Sequence, residues 1–260
     1  MSLLFQSRAF ITYWLDAVGR HSLHSPFFYD FFSTVVARDE VTSAYDVPER
    51  LRKEMLADTT AINVTDLGAG SRFNAGSTRK LCDIARVSLS PARRSRLLDR
   101  IARRFECSHI VELGTSLGIN TLYLASGHNR KVTTFEGAPE IAGRAQMNFA
   151  KAGADNIDVI VGDIGKTLPD FLGGDPTIDL VFMDANHQYT PTLTYFEMLV
   201  PALHARSVVV LDDIHYHAGM EKAWYELQRH GSVWGSADLF RTGILFFDPS
   251  LNKQHVVLQY

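Results

Sequence analysis

A chain of 260 residues, 46% apolar and 21% charged, is long enough to bury a sizeable core and is ordinary for a globular protein, which argues against a disordered or fibrous chain. Its formal net charge of -3 gives no overall reason to expect polyanion binding, so nucleic acid is not an expected partner. Two cysteines, Cys82 and Cys107, show no metal-ligand spacing and suggest a reduced, cytoplasmic setting.

The first residues, MSLLFQSRAFITYWL, are interrupted by Gln6 and Arg8, and no small-residue cleavage site follows. They are read as an amphipathic helix that packs its Phe, Ile and Trp side chains. No window reaches the apolar length of a membrane span, and none is expected. Residues 5 to 37 look helical, with a break from Arg20 to Pro26. The aromatic run Phe27, Phe28, Tyr29, Phe31 and Phe32 is too dense for a surface and is expected to pack on the main domain or on a second copy, as in a homodimer. A polar stretch covers Arg38 to Asp58.

The segment D66-L-G-A-G70 imitates a cofactor-binding turn. Neither an amphipathic helix nor a second acid-ended strand follows it, so it is read as a loop. Next, S90-P-A starts a helix with serine as cap and proline at the first position. Leu97, Ile101 and Phe105 share one face. Arg93, Arg94, Arg96, Arg100, Arg103 and Arg104 fill much of the rest, a run read as a solvated face before it is read as an anion patch.

Strands and helices then alternate. Strands are predicted at Ile110–Leu113, Lys131–Glu136, Ile157–Val161, Ile178–Met183 and Ser207–Leu211, and helices at 118–127, 139–152, 190–203 and 218–230. Alternation with short apolar strands indicates a parallel sheet covered on both faces. The segments 233–239 and 243–247 form a hairpin, so an antiparallel strand is expected to close the sheet.

The first of these strands ends in an acid and a glycine turn, E112-L-G-T-S-L-G118, with a helix behind it. Backbone N–H groups and a helix N-terminus gather there, as in nucleotide sites. The G-x-x-x-G spacing, with Asn120 where a third glycine would stand, is poor for a pyrophosphate, which weakens a dinucleotide-dependent oxidoreductase. It suits a phosphate-free adenosyl cofactor. Candidate cofactor contacts are Gly114, Thr115, Ser116, Gly118, Asn120 and Gly137. Glu136 is placed for both ribose hydroxyls, Asp163 for an adenine amino group and Glu112 for an ammonium tail. A non-catalytic adenosyl-binding module is a further alternative, made less attractive by the acids that follow.

Those acids end the next two strands, in D184-A-N-H-Q-Y189 and L211-D-D-I-H-Y-H217. In a doubly wound sheet Asp184 should lie near the cofactor's reactive group. Asp184, Asp212 and Asp213 gathered together would need a hard cation such as Mg2+ to offset their repulsion. Capping of the turns is the alternative, and a zinc site of His187, His215 and His217 is a weaker one.

From Glu112 to Thr121 the chain resembles the O-methyltransferase branch of the class I S-adenosylmethionine-dependent methyltransferases, which shows E-[L/I]-G-T-x-x-G-x-[S/N]-T. The resemblance spans about residues 90 to 247. It implies an α/β, Rossmann-like doubly wound sheet of seven strands with the last antiparallel, residues 90–260 as the S-adenosylmethionine-binding domain, and residues 1–89 as a helical cap. D-x-x-H-x-Y followed by D-D-I is also similar to metal-dependent sugar O-methyltransferases. By that resemblance Asp184, Asp212 and Asp213 would be metal ligands and His187 the general base, with Asp184 beside it in the catalytic set. Catechol methyltransferases of this branch show D-A-D-K and D-N instead. The implied substrate is a small hydroxylated molecule.

Overall fold

The computed structural model describes residues 3–64 and 77–260, so the Asp66–Gly70 turn lies outside the described residues. Two compact units make up the chain: Met1–Arg38 with Gly174–Tyr260, and Asp39–Gly173. Helices α1 (Leu3–Asp16) and α2 (Pro26–Phe31) open the first unit. The second contains α3 (Asp46–Ala57), β1 (Ala61–Val64), β2 (Ser77–Lys80), α4 (Leu81–Ser88) and α5 (Ala92–Arg104). It continues with β3 (His109–Leu113), α6 (Ile119–Ala125), β4 (Lys131–Glu136), α7 (Pro139–Ala152), β5 (Ile157–Val161) and α8 (Ile164–Leu172). The chain re-enters the first unit with β6 (Ile178–Met183), α9 (Tyr189–Leu199), β7 (Leu203–Asp212), α10 (Ala218–Gln228), β8 (Gly235–Asp238), β9 (Thr242–Phe246) and β10 (Gln254–Val257).

In the Asp39–Gly173 unit, β4 lies between β3 and β5, and both pairings are parallel. Strand β3 is buried from Ile110 to Leu113 without alternation, as a strand covered on both faces must be. Ile119, Leu122 and Tyr123 of α6 pack with Ala145 and Phe149 of α7 and with Tyr45 and Leu51. A second cluster joins Met55, Leu81 and Ile84 to Leu117, inside the glycine turn, and Ala138. Full burial of each Leu or Phe contributes roughly 1.5–3 kcal/mol of transfer free energy, so α3 and α4 support the turn.

Helix α3 lacks a strong sequence signal, because charged residues dominate its composition and its buried apolar positions are Pro48, Leu51 and Met55. Neither it nor helix α8 is among the predicted elements. Helix α5 begins at Ala92 with Pro91 at the cap, later than predicted. Ser90 has other partners: its carbonyl accepts the Arg52 guanidinium and its hydroxyl accepts the Asn120 amide. The arginines of α5 are partly absorbed by ion pairs. Arg96 and Arg100 meet Asp39 at 2.7 and 3.3 Å, and Arg103 meets Asp99 at 3.0 Å.

In the other unit β7 runs parallel to β6 and antiparallel to β9, β8 is antiparallel to β9, and β10 is parallel to β8. The antiparallel strand expected at the close is β9, and it lies between β7 and β8. The structure corrects the count of seven: among the described residues, apart from the β1–β2 pair, three sheet strands lie in one unit and five in the other, and the last in the chain, β10, is parallel to its neighbour. Strand β10 uses backbone groups on β8 that an edge would otherwise leave open. The aromatic run packs within its own unit. Phe27, Phe28 and Phe31 surround Phe246 with ring centroids 5.0, 5.8 and 5.2 Å away.

Helix α1 departs from expectation. Its buried positions are Ala9 and Tyr13, whose hydroxyl donates to the Leu258 carbonyl, while Ile11 and Trp14 stand 57% and 67% exposed. Among the described residues no helix is long and apolar enough to cross a membrane.

Candidate functional site

At the carboxyl ends of β3 and β4 the chain turns through Gly114 (φ 102°), Ser116 (φ 49°) and Gly118 (φ 79°). The N–H groups of Gly114 and Thr115 both donate to the Phe135 carbonyl at 3.0 Å, which pins the turn to β4. Glu136, ending β4, accepts from Ser116 N–H at 2.8 Å through one oxygen and from Ala138 N–H at 3.0 Å through the other. Its half-buried carboxylate therefore lies beside the turn. Each carboxylate oxygen accepts more than one hydrogen bond, so this position suits vicinal hydroxyls. Thr115 shares a hydrogen bond with Thr134, and Ser116 Oγ donates to Ser88 Oγ. Asn120 links the turn to α5 by accepting from Ser95 Oγ at 2.7 Å.

Gly118 is required by packing. A Cβ there would stand 2.4 Å from the Phe149 ring. Gly137 follows Glu136 in the turn leaving β4, half-buried. Asp163 is exposed and caps α8 by accepting from Gly165 N–H at 2.9 Å. Glu112 departs from the expected ammonium contact: it is 0% exposed, and its Oε2 accepts from Thr121 and Thr134 at 2.5 and 2.6 Å. Its place is inside the β3–α6 junction, where it braces the turn from behind.

The other acids gather at the ends of β6 and β7. The turn after Asp184 passes through Asn186 (φ 61°) and His187 (φ 35°), and Asp213 also has positive φ, 53°. His187 Nε2 lies 3.3 Å from Asp184 Oδ1. Burial opposes a charged imidazole there, but the hydrogen bond and charge of Asp184, with the charges of Asp213 and Asp212, outweigh it and raise the pKa to about 9. Asp212 is buried at the end of β7. Asp213 is paired with Arg241 at 2.9 Å.

This donor set does not fit the expected metal centre. Arg241 occupies one oxygen of Asp213 and His187 one of Asp184. Among the described residues no three His, Cys, Asp or Glu side chains converge as metal ligands. The zinc alternative fails for a separate reason. His215 is held between Glu221 and Asp238 at 3.0 and 2.8 Å, and His217 caps α10.

A cavity of about 270 Å³ adjoins Asp213 and Arg241, walled by Phe10, Tyr216 and Phe240. Sequence reasoning missed it because its walls come from α1, the segment after β7 and the β8–β9 turn. Phe240 carries φ 67°, strained for an aromatic residue, and its ring meets Phe10 at 5.1 Å and His215 at 5.7 Å.

Residues 111–214, from the third residue of β3 to just beyond β7, match the family model described as a methyltransferase domain. Over that stretch the chain is similar to methyltransferase domains. A catechol O-methyltransferase from Mycobacterium tuberculosis is 31% identical over 135 residues, 51% of this chain and 59% of that protein. The chain thus spans less than two thirds of that relative's length. Among solved structures, the S-adenosylhomocysteine-bound Podospora anserina methyltransferase PaMTH1 aligns with TM-score 0.60 at 15% identity, over 87% of this chain and 97% of that one. The O-methyltransferase TomG of Streptomyces achromogenes, in complex with S-adenosylmethionine, gives TM-score 0.53 at 21% identity, over 62% and 82%. At such identities the likeness concerns the fold. The matched domain contains both the glycine turn with Glu136 and the Asp184–His187 and Asp212–Asp213 turns.

Proposed function

We propose that the chain is a cytoplasmic S-adenosylmethionine-dependent O-methyltransferase acting on a hydroxyl of a small molecule. The carrying observation is the glycine turn locked to Glu136 within a matched methyltransferase domain. In this reading the backbone of Gly114–Gly118 receives the donor and Glu136 takes its ribose hydroxyls, with Asp163 toward the adenine. When bound, S-adenosylmethionine supplies a methyl group on a positively charged sulfur.

The protein's own part is alignment and proton management. Holding the acceptor oxygen in line with the methyl group supplies most of the acceleration. His187, oriented by Asp184, accepts the hydroxyl proton as the new carbon–oxygen bond forms. A raised pKa means that the imidazole must first lose its own proton, so this base works best in alkaline solution. No step is assigned to a metal, because the acids are engaged with Arg241 and His187. The aromatic-walled cavity beside Asp213 supports a flat, ring-bearing acceptor. Cys82 and Cys107 are both buried, and a reducing compartment belongs to this reading.

The reading is tested by calorimetry with S-adenosylhomocysteine and NADH, followed by methyl transfer from labelled donor to a panel of catechol, a phenol and a monosaccharide. Binding of the homocysteine compound with transfer to a panel member is the expected result. Binding of NADH in its place would return the dinucleotide alternative.

A further inference from the structure

One imidazole in this molecule performs two tasks. His217 Nδ1 accepts the backbone N–H groups of Gly219 and Met220 at 2.9 and 3.3 Å, capping α10. Because that nitrogen is an acceptor, the ring proton sits on Nε2. Nε2 donates to the backbone carbonyl of His187 at 2.8 Å, 30 residues earlier in the chain.

The carbonyl belongs to a turn that needs support. Asn186 and His187 are consecutive residues with side chains in the left-handed region, a conformation costing of order 1–3 kcal/mol at each position. Two local bonds help. His187 N–H donates to the Ala185 carbonyl at 2.7 Å, and the Asn186 amide donates to the Tyr195 hydroxyl at 2.7 Å. The His217 bond adds a tether from α10, at the residue whose ring faces Asp184. Tyr216 stands beside that ring, with centroids 6.2 Å apart.

We propose that His217 is a positioning residue for methyl transfer, holding His187 in the turn from which its ring meets Asp184. The role is separate from the cap on α10, and it rests on the reading of His187 as proton acceptor. A misplacement near 1 Å at a reacting group costs up to about a hundredfold in rate, so a tether on the main chain of the base is a rate determinant.

Asparagine and glutamine separate the two tasks. In His217→Asn the side-chain oxygen keeps the cap, since asparagine is among the preferred cap residues, but the amide stops short of the His187 carbonyl. His217→Gln reaches further and restores a donor. His187–Gln188 is the single His–Gln pair in the sequence. Full-length protein labelled with carbonyl-13C histidine and 15N glutamine therefore gives one cross-peak that reports on this carbonyl.

The expected result for H217N is a shifted cross-peak, unchanged melting temperature and S-adenosylhomocysteine Kd, and a kcat on the methylated panel member lowered roughly tenfold or more at constant KM for the donor. H217Q should return the cross-peak and part of kcat. An unmoved cross-peak, or a moved one with wild-type kcat, overturns the proposal. His187→Ala run alongside tells the two failures apart. Should H187A retain full kcat, the base assignment fails and the positioning role with it; should H187A lose activity while H217N keeps it, the positioning role alone fails.

Discussion

Ser116 N–H donates to Glu136 Oε2 across 2.8 Å, joining the strained centre of the glycine turn to the acid that ends the next strand. The bond orients the carboxylate before any ligand arrives. Glu136→Ala should therefore remove ribose acceptors and loosen the turn together. Loss of two charge-assisted hydrogen bonds at about 1.5–3 kcal/mol each predicts S-adenosylhomocysteine binding weakened by a hundredfold or more. Titration calorimetry checks this, and a wild-type Kd in the variant would remove Glu136 from the site.

Gly118 combines positive φ with a neighbour too close for a methyl group. Gly118→Ala should destabilise the Asp39–Gly173 unit by about 1–3 kcal/mol, through backbone strain and displacement of Phe149. Gly143 in α7 is the control, since a Cβ there meets nothing within 4 Å. Gly143→Ala should stabilise by about 0.5–1 kcal/mol. Chemical denaturation of both variants gives the comparison.

The Asp184–His187 pair predicts opposite pH trends for stability and rate. The folded pKa of about 9 lies above the ordinary imidazole value of 6.5, so the pair's contribution to stability is complete below pH 6.5 and fades as pH rises through 9. Turnover should climb over the same interval as the imidazole becomes able to accept a proton. Asp184→Asn removes the leading influence that raises this pKa and should move the alkaline limb toward neutrality. A histidine NMR titration beside a kcat/KM profile measures both, and a rate flat from pH 6.5 to 9 would exclude His187 as the base.

Asp213 is turned toward Arg241, so Mg2+ titrated into the ligand-free protein should give no saturable heat at millimolar concentration. Arg241→Ala releases the carboxylate and should increase any affinity. Tight binding to wild-type protein that Asp213→Ala abolishes would reinstate the three-acid centre.

Asp238 serves two buried groups, His215 at 2.8 Å and the Trp224 indole N–H at 3.2 Å. Burial disfavours the His215 cation, yet Asp238 and then Glu221 raise its pKa overall. Asp238→Ala breaks a buried pair and should cost about 3–5 kcal/mol, read as a lowered denaturant midpoint. The stabilising share of His215 is present in acid and disappears as pH rises past its elevated pKa.

Local order made much of this protein legible. The β3–turn–α6 segment, the ends of β4, β5 and β6, and the antiparallel β9 follow from apolar runs, glycines and acids within a few residues of one another. Helix α3 escaped because Pro48, Leu51 and Met55 are its few core markers among charges, and β10 because a short edge strand has little apolar pattern.

What the sequence by itself determined was the type and order of these elements, and with them the placing of acids at successive strand ends. Tertiary structure alone decided what each acid does. Glu112 is buried against two threonines, Asp213 meets an arginine 28 residues away, and His217 reaches back 30 residues to His187. Hydrophobic periodicity is a local property of the chain, whereas a hydrogen-bond partner is chosen by rotamers, left-handed turns and packing that bring distant residues together.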